Sequence, residues 1–242
     1  MTRTWEAAGA TDVGRLRRSN EDDLLVDADR GIFLVADGMG GHAAGEVASD
    51  LVARTVGALL ASRPPEESWP EALRRAVLRA HDAIVECCRD DPRTRGMGTT
   101  LTCCVLEPSG RCAVAHIGDS RLYRLRAGAL EQLTRDHTWV QQEVDTGRLS
   151  PAEARRHPLS HILTRVLSDD LEPDADYPEL QVEPGDLLLL CTDGLYNMLT
   201  DGVLLDLLDR PDPPPVLVRR LVDAANAAGG ADNVTVVVVR VE

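Results

Sequence analysis

Apolar positions recur along the chain at two periods. From Ala44 they fall at Val47, Ala48, Leu51, Val52, Val56 and Leu59, one face of a helix. A second stripe, Trp69, Leu73, Ala76, Val77, Ala80 and Ile84, follows Pro64-Pro65. Ser68 and Glu71 stand three apart ahead of it, the spacing of a capping box. A shorter helix over 216–225 carries Val218, Leu221, Val222 and Ala225. Between the helices, segments 32–36, 101–106, 112–117, 187–191 and 234–241 are apolar at nearly every position, which predicts short strands covered on both faces. Segment 121–126 alternates and predicts a half-exposed strand. The stretch 135–176 is polar, with Ser150 and Glu153 again at capping-box spacing and no strong core pattern. It reads as a mobile insertion within one domain of residues 1–242, and Pro211 with Pro213 to Pro215 reads as a loop. These elements fit either a doubly wound parallel sheet or stacked antiparallel sheets.

The polar residues that end the apolar strands carry the chemistry. Segment 32–36 runs into Asp37-Gly38, 112–117 into Gly118-Asp119, and 187–191 through Thr192 into Asp193-Gly194; Asp232-Asn233 immediately precede the last strand. One Asp-Gly after a strand is usually a turn. Four strands with an aspartate at one end predict carboxylates crowded together, which repel one another unless a cation joins them. A carboxylate-rich, all-oxygen site suits Mg²⁺, Mn²⁺ or Ca²⁺. The glycines after Asp37 and Asp193 are expected to let the backbone turn sharply and present a carbonyl. Arg17, Arg18, Glu21 and Asp22 precede a strand that is expected to pair beside the one ending at Asp37, bringing an arginine and two more acids to the same place. The arginine fork suits a phosphate group. Metals plus arginine, with no nucleophilic Ser or Cys motif, point to phosphoryl transfer to water.

Composition narrows the classes further. A formal net charge of −14 repels nucleic acid and anionic membrane surfaces. Every basic residue other than histidine is Arg, so lysine nucleophiles are excluded. Aromatics make up 3% of the 242 residues, leaving the core to Leu, Val, Ile and Ala. The six cysteines (Cys87, Cys88, Cys103, Cys104, Cys112 and Cys191) form no zinc spacing and read as free thiols in a reducing cytoplasm. The start Met1-Thr2-Arg3 is polar and carries no signal-peptide pattern, and no apolar run reaches the roughly 20 residues of a membrane helix.

Seven stretches in order carry a family resemblance: RRSNEDD from Arg17, VADGMGGHAAGEVAS from Val35, GMGTTL from Gly96, AHIGDSRLYRLR from Ala115, LTRDH from Leu133, LLLCTDGL from Leu188 and GGADNVTVVVV from Gly229. With them the chain resembles the type 2C metal-dependent protein phosphatases, in particular their bacterial serine/threonine branch. The resemblance implies an α+β fold: a four-layer α/β/β/α sandwich of two stacked antiparallel sheets flanked by helices. It implies that Asp37 bridges two Mn²⁺ or Mg²⁺ ions with the Gly38 carbonyl on one of them, and that Asp193 and Asp232 ligate the other. Asp119 with Asp193 matches the position of a third ion. Glu21 and Asp22 would hold ion-bound waters, with Asn233 in the same outer set, and Arg17 would grip the substrate phosphate. The stretch 135–176 matches the family's flap beside the active site.

The implied reaction is in-line attack on phosphoserine or phosphothreonine by a water shared between two ions, without a phosphoenzyme. Implied partners are phosphorylated proteins, a bacterial serine/threonine kinase among them, met by a monomer. In some relatives a histidine directly follows the Asp-Gly pair; here Met39-Gly40-Gly41 intervene, so His42 is a candidate general acid against a competing role in packing at the start of the Ala44 helix. His137 and His161 fall in or beside the flap as structural or substrate-facing residues, and Ser168 stands where glycine is expected in a flap turn. Two other readings compete: an inactive relative acting as a binding module, and a metallohydrolase of another class such as a nuclease.

Overall fold

Strand residues that are apolar at every position find cover on both sides. In the computed structural model, which describes residues 3–40 and 44–242, the elements run in chain order as follows. They are β1 (Trp5–Asp12), β2 (Asp22–Asp27), β3 (Ile32–Met39), α1 (Ala44–Ala61), α2 (Trp69–Asp90), β4 (Gly98–Thr99), β5 (Leu101–Leu106), β6 (Arg111–Ile117), β7 (Arg121–Arg126) and β8 (Ala129–Gln132). There follow α3 (Trp139–Asp145), α4 (Pro151–Ala154), β9 (Leu167–Ser168), β10 (Glu179–Gln181), β11 (Leu187–Cys191), α5 (Asp193–Tyr196), α6 (Asp201–Leu208), α7 (Pro214–Ala227) and β12 (Val234–Val241).

The strands form two antiparallel sheets. The smaller has the order β1-β12-β11-β7-β8; the larger has β10-β6-β5-β3-β4-β9, with β2 paired to β3. Side-chain alternation then sorts the core into three layers. Phe33, Val35, Cys104 and Leu106 of the large sheet meet Leu188, Leu190, Val237 and Val239 of the small one between the sheets. Their strand neighbours Ile32, Leu34, Cys103 and Val105 pack outward against α1 and α2. Leu189, Cys191, Val236 and Val238 face α6 and α7 on the opposite side. The result is an α/β/β/α sandwich with its two sheets antiparallel, which decides between the two arrangements that strand pattern alone allows.

The helices show why the sheets carry them. Ser68 and Glu71 make the capping box that opens α2, and Ser150 with Glu153 make the one that opens α4. In α1 the buried face is rotated from the expected stripe: Val47 is exposed, while Ala44, Gly45, Ala48, Ser49, Val52, Ala53, Val56, Gly57 and Leu60 are buried. Small residues on that face let the helix lie close to β2, where a Cβ on Gly57 would stand 2.7 Å from Leu25 Cδ2. Strand β1 carries no apolar run and was not expected. Its Trp5–Asp12 backbone pairs along the whole of β12 as an edge strand.

The stretch 135–176 is tied down at several points. Strand β9 pairs with β4, Asp176 bridges to His116 and Thr138 to Leu163, and Asp136, His137 and Thr138 are buried. Ser168 sits in β9 opposite Gly98, not in a flap turn. All six cysteines are free. Among the described residues, no helix is long and apolar enough to cross a membrane.

Candidate active site

The acids gather at one end of both sheets because each sheet delivers its own. In the large sheet β2 pairs with β3 in a register that sets Asp22 opposite Asp37. In the small sheet Asp193 follows β11 and Asp232 precedes β12, strands that are neighbours. Asp119 lies in the link from β6 to β7, where the chain passes from the large sheet to the small one.

Burial and mutual repulsion define the electrostatics. Burial holds the Asp37 carboxyl well above the usual carboxylate range, and Asp22, Asp193, Asp119 and Asp232 push it further. Burial lifts Asp119 to about 8, with Asp193 and Asp136 adding to it. Asp193 rises to about 7 through burial and then through Asp232 and Asp22. Asp22 also rises to about 7 through burial, against hydrogen bonds from Thr235 and Thr192 that lower it. Glu21 is raised by burial too, with Arg17 opposing. A cation placed among these groups would remove the penalty that each imposes on the others.

Asp22, Asp119 and Asp193 are each oriented by a side chain whose role the sequence pattern does not predict. Thr192 Oγ1 donates to Asp22 Oδ2 at 2.8 Å, linking the two sheets. The Tyr196 hydroxyl lies 3.1 Å from Asp119 Oδ2, and Asn197 Nδ2 donates to Asp193 Oδ2 at 3.1 Å. Tyr196 and Asn197 follow Asp193 by three and four residues, one turn along α5, a spacing that could have flagged them. The Asp37 N–H donates to Thr100 Oγ1 at 2.9 Å, and Thr100 Oγ1 meets Ser120 Oγ at 2.7 Å. A buried hydroxyl pair thus joins the Asp37 backbone to the residue after Asp119. Arg121 forks onto Asp136 and lies 3.5 Å from the Tyr196 ring centre.

Gly38 continues β3 instead of turning sharply, and Gly194 lies in the first turn of α5; the glycines are needed for close approach. A Cβ on Gly38 would fall 2.1 Å from the Gly45 carbonyl oxygen and 2.5 Å from that of Glu21, and one on Gly194 would fall 1.9 Å from the backbone carbonyl oxygen of Asn233. Glu21 sits where three elements meet. Its N–H donates to Asn233 Oδ1 at 2.8 Å, and its carbonyl accepts from Gly38 N at 3.0 Å and Ser49 Oγ at 2.6 Å. Asn233 donates through Nδ2 to the Val13 and Ser19 carbonyls, both at 2.9 Å. It therefore fastens the segment that carries Arg17. Arg17 stands at the rim, half exposed, with Nη2 2.7 Å from Asp232 Oδ2. His42 lies outside the described residues. A cavity of about 650 Å³ opens beside Asp119 and Asp193, and Val140, Val144 and His161 of the 135–176 stretch form one wall.

Among the described residues no group of three or more His, Cys, Asp or Glu side chains stands at cage spacing around one point. The cluster is open, and its donors are all oxygen. Ions that keep several waters and take one or two carboxylates fit such a set.

A sandwich whose two sheets aim acids at one shared end defines a class of oxygen-ligand sites built at a sheet–sheet junction. Within that class, the chain belongs to the protein phosphatase 2C family, whose profile matches residues 16–220. It is 41% identical to the serine/threonine protein phosphatase PstP of Mycobacterium tuberculosis over 98% of its own length, and spans 45% of that longer protein. It is 35% identical to the serine/threonine phosphatase stp of Listeria welshimeri, covering 95% of this chain and 93% of that protein. The crystal structure of the catalytic domain of PstP in complex with two manganese ions superposes with a TM-score of 0.90 at 39% identity, covering 99% of each chain.

Proposed function

We propose that this chain is a metal-dependent protein serine/threonine phosphatase that hydrolyses phosphoserine and phosphothreonine on proteins. The observation that carries the reading is the gathering of Asp22, Asp37, Asp119 and Asp193 at one end of both sheets, where burial first and neighbouring acids second hold their carboxyls above the ordinary range beside a rim arginine. Asp37 with the Gly38 carbonyl, Asp193 and Asp232 would hold two Mn²⁺ or Mg²⁺ ions, and Asp119 with Asp193 a third. Such ions supply an activated water and offset charge on the phosphoryl oxygens. Asp22 and Glu21 flank them with further oxygen acceptors. Tyr196 and Asn197 hold Asp119 and Asp193 in place. Arg17 exchanges its partner Asp232 for the substrate phosphate, two charged groups that compete for one guanidinium.

The chain acts as one catalytic domain with 135–176 as the flap along the cavity. We assign it to the cytoplasm as a monomer, opposing a serine/threonine kinase; free thiols, most of them buried, support the first part.

The test is hydrolysis of a phosphothreonine peptide with Mn²⁺, with EDTA, and by Asp193→Asn. Activity that needs the metal and is lost in the variant supports the reading. A folded wild type that binds Mn²⁺ and leaves the peptide intact would point instead to a phosphatase-like binding module.

A further inference from the structure

His137 lies outside the acid cluster but holds its nearest turn. Its backbone N–H donates to the Gly118 carbonyl at 2.8 Å, and its ring Nδ1 accepts the Gly118 N–H at 3.2 Å. Both backbone polar groups of the residue before Asp119 therefore end on one histidine. Gly118 has φ +104, and a Cβ there would fall 2.5 Å from Thr100 Cγ2, so no side chain at 118 can brace the turn. An amide N–H can only donate, so Nδ1 carries no proton and Nε2 does. Nε2–H then points at Asp176 Oδ2, 3.2 Å away, while Arg165 Nη1, which can only donate, stands 3.4 Å from the same nitrogen without a bond to it. Arg165 binds the other oxygen of the same carboxylate at 3.2 Å and Asp174 at 3.0 Å. The Thr164 N–H closes onto the His137 carbonyl at 2.8 Å. On the ring's other side stands His116, 4.8 Å between ring centres, itself fixed by Thr102 Oγ1 and the Arg135 carbonyl.

We propose that His137 is a positioning residue that transmits the placement of Arg165 and Asp176, on the returning arm of the flap, to the Asp119 carboxylate. The path is Arg165 to Asp176, Asp176 to His137 Nε2, and His137 Nδ1 to the Gly118 amide. It rests on reading Asp119 as an acid of the metal site. A flap displaced by a bound phosphoprotein would be felt at Asp119 through three hydrogen bonds and a turn.

Two substitutions separate the ring nitrogens. His137→Asn keeps an acceptor near the Nδ1 position and loses the reach to Asp176; His137→Gln keeps the reach and loses the acceptor. Hydrogen exchange of the Gly118 amide, read by NMR on ¹⁵N-labelled full chain in EDTA, is expected to be at least tenfold faster in His137→Gln and within threefold of wild type in His137→Asn. Arg165→Ala is expected to speed Gly118 exchange at least threefold and to weaken Mn²⁺ binding, measured by calorimetry, to a similar degree. In the His137→Asn background the same change should do neither. Should His137→Gln not fold, Arg165→Ala in the wild-type and His137→Asn backgrounds decides the matter. Gly118 exchange that ignores Arg165→Ala, or that is as fast in His137→Asn as in His137→Gln, overturns the relay. The exchange is read without metal or substrate, so an inert wild type with the expected exchange pattern would count against the phosphatase reading and not against this wiring.

Discussion

Removing one charge from the acid cluster should make the metal-free protein more stable. Asp193 titrates at about 7 instead of its ordinary 3.8. At about 1.4 kcal/mol per pH unit, that gap amounts to about 4 kcal/mol of folding stability withheld above pH 7. An amide in its place keeps the size and the contact with Asn197 but still has to be buried, so Asp193→Asn should recover about 2 kcal/mol. For a chain of this size that is a Tm rise of about 4–8 °C. A carboxyl whose folded pKa is raised stabilises fully below its unfolded pKa and loses that contribution as pH rises through its folded value. The advantage of the variant should thus be largest above pH 7 and fade toward pH 4. Scanning calorimetry in EDTA at pH 8, 6 and 4 reads it directly. Mn²⁺ should reverse the order, because an ion at a hundred times its Kd adds about 2.7 kcal/mol to whichever protein binds it. A variant no more stable than wild type in EDTA at pH 8, or an advantage that does not change with pH, would refute the account of the cluster.

Four further outcomes follow from the same geometry. Arg121→Met should cost about 3–5 kcal/mol in urea unfolding, because it leaves the buried Asp136 without the guanidinium that forks onto it. Gly38→Ala should abolish folding or lower Tm by more than 10 °C, a drop on the order of 3 kcal/mol or more for this chain length, since its Cβ would enter the Gly45 carbonyl. Gly202→Ala in α6 meets only Thr200 Oγ1 at 4.0 Å and should raise stability by up to about 1 kcal/mol in the same assay. Arg17→Ala should lower kcat/KM on a phosphothreonine peptide tenfold to a hundredfold, on the order of 1.5–3 kcal/mol for a charge-assisted contact. Its Mn²⁺ affinity in calorimetry should hold or improve, because Asp232 loses a competing cation.

The core was legible in the sequence because it is periodic. Alternate residues of β3, β5, β11 and β12 face different layers, and each layer is apolar, so those strands stand out as continuous runs. The stacking of two antiparallel sheets was not legible from the runs, since a parallel sheet covered by helices produces the same pattern; it came with the family resemblance. Strand β1 was missed because its Ala, Gly and Thr residues carry almost no hydrophobic signal, and pairing with β12 alone makes it a strand. The aspartates were legible from their places at strand ends. The groups that orient them were not: Thr192, Thr100 and Ser120 look like ordinary β residues until registry between strands brings their hydroxyls to an acid or its backbone. The glycines at 38 and 194 suggest turns in the sequence and are needed for clearance in the fold, a distinction that depends on what lies across from them.

The division of the acids between sheets has a mechanical side. Asp22 and Asp37 belong to one slab, Asp193 and Asp232 to the other, and Asp119 to the strap between them. Away from that end the slabs meet through Leu, Val, Phe and Cys side chains, a greasy contact that resists separation more than sliding. An ion gripped from both sides, as proposed above, would act as a rivet at one edge of that contact and would set the shear between the slabs. Substitutions deep between the sheets, far from any acid, would then be felt as misaligned jaws.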